Sequence, residues 1–259
     1  MKISILGSGS SGNATFIGSG STRILVDAGF SCRKIEEKLN AIGESAAELS
    51  AVLLTHEHMD HIAGAGILSR KYDIPLYLTA ESHEAGRARL GEVPGELIRY
   101  IRGDFILGDD LEVIPFDVMH DAVRTMGFRL NSDDGRSVAI ATDIGHVDNV
   151  VRENFRDCDV VVIESNYDHA MLLSCGYPFE LKNRIKSNNG HLSNESAARF
   201  IRDIYHGGLQ KVWLAHVSRD SNTYDRACET TRRELEACGI RLDFEAARQD
   251  EQTGLFEVK

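Results

Sequence analysis

Short apolar runs recur along the chain, and several of them stop abruptly on a polar residue. Residues 2–6, 14–17 and 22–27 read as successive strands separated by glycine-rich turns. An amphipathic stretch at 31–41 follows, with Ser31 as its N-cap. The run Ala51-Val52-Leu53-Leu54 has the pattern of a buried strand, and residues 62–71 read as the helix behind it. A strand at 76–79 and a helix at 80–90 come next. The middle is strand-rich, with runs at 111–119, 126–130 and 137–142 and a hairpin turn at Asp134-Gly135. An apolar strand at 160–164 precedes two helical stretches, near 168–173 and 178–185. Ser193 opens the clearest helix, 193–205. A strand at 211–215, a helix at 223–238 ended by Gly239 and two short strands complete the pattern. No repeat, linker or low-complexity run interrupts it. The expectation is one α/β domain over residues 1–259, with sheet layers flanked by helices.

Composition narrows the class. The formal net charge of −11 disfavours non-specific, long-range attraction to a polyanion. It leaves a phosphate substrate open, because a bound metal is a large local positive charge. The cysteines, Cys32, Cys158, Cys175, Cys228 and Cys238, are odd in number, scattered, and form no CxxC pair. That argues against a disulfide framework and for a reducing, cytoplasmic compartment. The first residues, Met1 to Gly7, lack the pattern of a signal peptide, and no run is long enough to span a bilayer, so no membrane partner is expected.

The densest chemistry lies in Thr55-His56-Glu57-His58-Met59-Asp60-His61, directly behind the strand at 51–54. Three imidazoles and a carboxylate on a strand-to-helix turn are donors of the kind a divalent transition metal takes. Solvated loop residues would also produce such a run, but rarely at this density. The HxHxDH spacing lets His56 and His58 hold one metal while Asp60 and His61 reach a second. Further ligands should then end other apolar strands. His120 ends 113–119, Asp143 ends 138–142 and His216 ends 212–215. Singly each is weak, since an aspartate after a strand is usually a turn residue. Together they complete two sites: His56, His58 and His120 on one metal, Asp60, His61 and His216 on the other, with Asp143 bridging. Two ions about 3.5–4 Å apart would clamp a water and lower its pKa. Imidazole with carboxylate suits zinc, manganese or iron.

This arrangement closely resembles the metallo-β-lactamase-fold hydrolase superfamily across essentially the whole chain. Within it, Leu6-Gly7-Ser8-Gly9-Ser10-Ser11-Gly12-Asn13, Glu164-Ser165-Asn166, Gly190-His191-Leu192-Ser193-Asn194-Glu195 and Leu214-Ala215-His216-Val217-Ser218-Arg219 resemble the bacterial YycJ/WalJ-type proteins, relatives of tRNase Z and of phosphodiesterases. The resemblance implies a four-layered αβ/βα sandwich with two divalent metals at one edge. It also implies a metal-dependent phosphodiesterase, a DNA nuclease with 5′-exonuclease character. Tyr167 stands where many members carry histidine. A tRNA-grasping insertion is not apparent, which favours DNA over RNA.

The same resemblance assigns Glu164 and His191 as a hydrogen-bonded pair. Glu164 orients His191 and raises its pKa, and His191 protonates the leaving oxygen as general acid. The plainer alternative is that His191 packs over a helix start while Glu164 pairs with a nearby base. Asp60 is assigned to orient the attacking water or take its proton. Ser218, Arg219 and Asn222 follow the ligand His216 and are expected to hold a substrate phosphate, together with Asn166 and, in the first turn, Ser11 and Asn13. That turn presents backbone N–H groups to an anion, or serves as a tight connection that lets backbone approach the metal loop. It lacks the ending of a Walker loop. Lys182, Arg184 and Lys186 lie near His191 and form a candidate phosphate track, whereas Arg87, Arg89, Arg99 and Arg102 read as a solvated face. His83, His146, His169 and His206 have no ligand spacing and read as surface residues. Two rivals stand: a thioesterase or lactonase on the same scaffold, and a metal-bearing regulatory protein without turnover. The oligomeric state, a homodimer included, is left open.

Overall fold

The computed structural model describes residues 1–259. Two seven-stranded sheets carry the fold. The first is built from β1 (Lys2–Gly7), β2 (Ala14–Ser19), β3 (Thr22–Val26), β4 (Ala51–Leu53), β5 (Leu76–Leu78) and β6 (Ile98–Tyr100). The second holds β7 (Phe105–Leu107), β8 (Leu111–Val118), β9 (Thr125–Ser132), β10 (Ser137–Ala141), β11 (Val160–Glu164) and β12 (Lys211–Ala215). The two closing strands part company: β13 (Phe244–Ala246) pairs with β12 in the second sheet, and β14 (Phe256–Glu257) pairs with β1 in the first. The C-terminal segment therefore straps both sheets together. No sequence pattern marks that split, nor the short strands β6 and β7.

Burial explains why the strands are apolar on both faces. One core lies between the sheets, where Ile3, Ile17, Ile24, Phe128, Val162 and Trp213 meet. A second lies under α1 (Cys32–Ala41), α3 (Ala65–Tyr72) and α4 (Ala80–Leu90), against Leu25, Val52 and Leu76. A third lies under α5 (Asn149–Phe155), α8 (Asn194–Ile204) and α9 (Tyr224–Ala237), against Val161, Ile163 and Leu214. The layers run helix, sheet, sheet, helix, and strands covered on both faces lose the alternation of a half-exposed sheet. Each fully buried Leu, Ile or Phe contributes roughly 1.5–3 kcal/mol.

Local signals hold where they rest on caps. Ser31 accepts from Lys34 N, and Ser193 from Ser196 N at 3.2 Å. The helix expected at 62–71 is divided. A short α2 (Met59–Ile62) carries Asp60 and His61, and α3 starts after Gly64. A Cβ on Gly64 would lie 2.2 Å from the Phe30 carbonyl oxygen, so close packing fixes this break. Two further helices, α6 (His169–Ser174) and α7 (Phe179–Ile185), lie between β11 and α8. All five cysteines are free, and no helix is long and apolar enough to cross a membrane.

Strands β10, β11 and β12 run parallel, as do β3, β4 and β5. Their carboxyl ends open at one edge of the sandwich, the usual place for a site in such sheets.

Candidate metal centre and acid–base pair

The loops leaving β4, β8, β10 and β12 bring all seven expected ligands to that edge. His56 Nε2 lies 2.9 Å from His58 Nδ1, and the His120 ring is 5.2 and 5.3 Å from theirs. His56, His58 and His120 thus offer three nitrogens to one point. Asp60, His61 and His216 converge on a second, with His216 Nε2 3.4 Å from Asp60 Oδ2. Asp143 lies between the groups, its Oδ2 2.8 Å from His61 Nε2 and its Oδ1 3.7 Å from His120 Nε2. Asp143 and His216 both have left-handed backbone, with φ of 54° and 52°. Strain of this kind persists only where surrounding structure holds it, and it clusters at functional sites.

Electrostatics make the site one for cations. Asp143 Oδ2 is buried without a hydrogen-bond partner, although His61 Nε2 approaches it out of line. A buried carboxylate oxygen left so is costly. Burial opposes charge on Asp143, yet the His216 and His61 imidazoles outweigh it and hold the carboxyl well below its usual range. Burial, with His61 beside it, pushes His56 well below ordinary histidine, so it offers a neutral nitrogen. Asp143 holds His61 and His216 toward the charged form in return, so an ionised carboxylate is here matched by positive charge on its near side, a charge that a divalent cation would replace on binding as those imidazoles give up their protons.

A layer behind the ligands aims them. Asp27, buried at the end of β3 with φ 63°, accepts from Thr55 N at 2.9 Å and lies 2.7 Å from His61 Nδ1. Such a carboxylate fixes the tautomer and orientation of a ligand histidine. The Gly190 carbonyl does the same for His120 Nδ1 at 3.1 Å. Sequence reasoning passed over Asp27. The available signal was a strand, 22–26, that stops on a carboxylate as 138–142 does.

Glu164 is fully buried. Its Oε2 accepts from Ile144 N and Leu192 N, both at 3.0 Å. Its Oε1 lies 2.8 Å from His191 Nδ1 and 3.0 Å from His216 Nδ1. Burial works against a charged His191, but the Glu164 carboxylate outweighs it by charge and hydrogen bond and raises that pKa. The hydrogen bond of His191 runs through Nδ1, and the ring lines the open cleft, which leaves Nε2 without a partner in the protein.

The expected substrate contacts divide. Asn166 and Ser218 line a cleft of about 200 Å³ together with His191, His216, Asp121 and Arg184. Asn222 does not face it. Its amide is buried and donates to Ser165 O, Asn166 O and Asn194 Oδ1, so it braces the strand ends from behind. Arg219 points away and pairs with Asp250. Asn13 is buried against the metal turn, with Nδ2 3.0 Å from His61 Nε2 and its N–H donating to Asp60 O at 2.7 Å. Ser11 is exposed, and Ser10 is the residue of that turn at the cleft. The glycine-rich turn is thus a tight connection to the metal loop. Of the expected phosphate track, Lys182 is tied to Leu173 O and Arg184 to Asp121.

The family model of the beta-lactamase superfamily domain matches residues 22–217. The chain belongs to that superfamily. It is a metal-dependent hydrolase with the metallo-β-lactamase fold. It is 35% identical to the exodeoxyribonuclease YycJ of Bacillus anthracis over 241 residues, covering 93% of this chain and 91% of that one. It is also 35% identical to the exodeoxyribonuclease WalJ of Streptococcus pneumoniae serotype 2 over 264 residues, covering 99% of this chain and 98% of that one. The crystal structure of human tRNase Z, short form, shares this hydrolase's fold with a TM-score of 0.68 at 15% identity, over the full length of both chains.

Proposed function

We propose that this hydrolase is a two-metal phosphodiesterase that cuts nucleic acid, with DNA its substrate and the 5′ end its point of attack. The observation that carries this reading is the Glu164–His191 pair standing beside the metal cluster. The names of the two bacterial relatives support the choice of DNA. His56, His58 and His120 would hold one ion and Asp60, His61 and His216 the other, with Asp143 within reach of both groups. Bound divalent cations supply Lewis-acid polarisation of the phosphoryl oxygens and a water acidified toward neutral pH.

The protein's own groups do the rest. Asp60, half-buried beside His216, orients the attacking water and takes its proton. Asp27 and Asn13 keep His61 and the Asp60 turn in place. Glu164 keeps the His191 Nδ1 proton engaged, so that Nε2–H points at the leaving oxygen and donates to it. Asn166 and Ser218 line the floor on which the phosphate rests. A thioester, whose thiolate leaves without a proton, needs no such acid beside its metals.

Single-turnover cleavage of 5′-labelled single- and double-stranded DNA, and of RNA of the same sequence, tests the reading. DNA cleavage from the 5′ end that stops with chelator supports it. Preference for RNA makes RNA the substrate in place of DNA, and turnover of a thioester or lactone in place of either nucleic acid overturns the reading.

A further inference from the structure

His191 lines two cavities. One is the cleft already described; the other, of about 450 Å³, opens beyond the 186–192 loop. Its walls come from the loop after β10 (Gly145, His146), from Arg152 of α5, from Lys186 and Asn188, and from Ser196 and Arg199 of α8. The volume lies within the range of ligand pockets, about 300–1,000 Å³.

The charged side chains of this cavity are mostly basic. Three cations line it, Arg152, Lys186 and Arg199, against one carboxylate, Asp203. Arg152 already spends its charge on Asp203 at 3.0 Å. Lys186 has no ion-pair partner, and Arg199 reaches only Ser196 Oγ at 3.2 Å. Two unpaired cations thus face a pocket in a chain of net charge −11. Phe200 and Tyr167 are buried behind the wall, so the surface the cavity presents is chiefly polar. Unpaired Lys and Arg in a polar pocket are what the phosphate oxygens of a nucleotide take.

We propose that this cavity is the subsite for the leaving nucleotide, with Lys186 and Arg199 holding its phosphate and His191 at the edge that the cavity shares with the metal cleft. The inference rests on the phosphodiesterase reading and deepens it. The scissile P–O bond breaks with its electron pair staying on the leaving oxygen. His191 Nε2 gives that oxygen a proton, and water supplies the new P–O bond and releases a proton in turn. The leaving nucleotide then occupies the side of His191 away from the metals, where the unpaired cations are.

The test compares two substrates on the metal-loaded enzyme: a 5′-phosphorylated single-stranded DNA, and bis(p-nitrophenyl) phosphate, which has no second phosphate. Lys186→Ala and Arg199→Ala should each lower the ratio of kcat/KM for DNA to that for the small diester about tenfold. Each should also flatten the salt dependence of DNA binding by about 0.7 in log–log slope, the value for one phosphate contact on a single strand. Arg33→Ala, on the opposite helical layer, should leave the ratio in place. An unchanged ratio and slope in both variants, with DNA still cut, overturns the subsite but spares the phosphodiesterase. Equal losses on both substrates overturn it too, because the small diester carries no second phosphate for Lys186 or Arg199 to hold. If the wild-type enzyme turns over neither substrate, the phosphodiesterase reading itself falls.

Discussion

Glu164 Oε1 stands 2.8 Å from His191 Nδ1, inside a carboxylate whose other oxygen is already satisfied by two backbone N–H groups. The pair is held from behind, so His191 presents one nitrogen in one direction. The carboxylate also reaches His216 Nδ1 at 3.0 Å, which ties the acid to the metal cluster.

His191→Ala removes the proton donor without removing a metal ligand. Cleavage of DNA should slow by roughly 10²–10⁴-fold, the usual contribution of a general acid. Metal content, read by mass spectrometry of the purified variant, should stay at the wild-type value. Loss of metal along with activity would mean that His191 serves as a ligand.

The pH profile follows from the raised His191 pKa. The ring must be protonated to donate, so kcat should fall as pH rises through that raised value. In Glu164→Gln the opposing effect of burial acts without the carboxylate, and the alkaline limb should move to lower pH. Because Glu164 also touches His216, this variant should bind metal about 10–100-fold more weakly. An alkaline limb that stays in place would remove His191 from the proton path.

Asp27→Asn keeps a residue type that tolerates the left-handed backbone but removes the charge facing His61. Metal affinity, measured against a chelator of known strength, should drop about 10–100-fold. The fold should persist, with circular dichroism unchanged.

The seven metal-site side chains were legible because each ends or follows an apolar strand, and strand ends at one edge of a sheet converge. Asp27 has the same signature but reads as a turn residue beside Ala28-Gly29. The Glu164–His191 pair came from resemblance, since 27 residues separate its members and no local pattern joins them. Asn13 and Asn222 were misplaced for a physical reason. A polar residue near a site looks the same in sequence whether its amide faces substrate or braces backbone, and only tertiary packing decides. The break between α2 and α3 was hidden likewise, being set by the contact of Gly64 with Phe30.

Gly29 carries a sharper test of the metal turn. A Cβ there would lie 1.6 Å from Asp60 O and 2.7 Å from Asn13 N. Gly29→Ala must therefore displace the Asp60 turn from the glycine-rich loop. Overpacking should cost about 1–3 kcal/mol in denaturant unfolding, and activity should fall further than that loss of folded protein accounts for.

The central claim is that these side chains gather a pair of cations that cut a phosphodiester. Activity on 5′-labelled DNA, titrated against equivalents of added divalent metal in protein first stripped by chelator, tests it most directly. The expected curve rises from zero and levels off at two equivalents per chain, and in Asp143→Ala it neither levels there nor reaches wild-type turnover. Cleavage that persists in the stripped protein, or a chain loaded with two metals that cuts no phosphodiester, would contradict it.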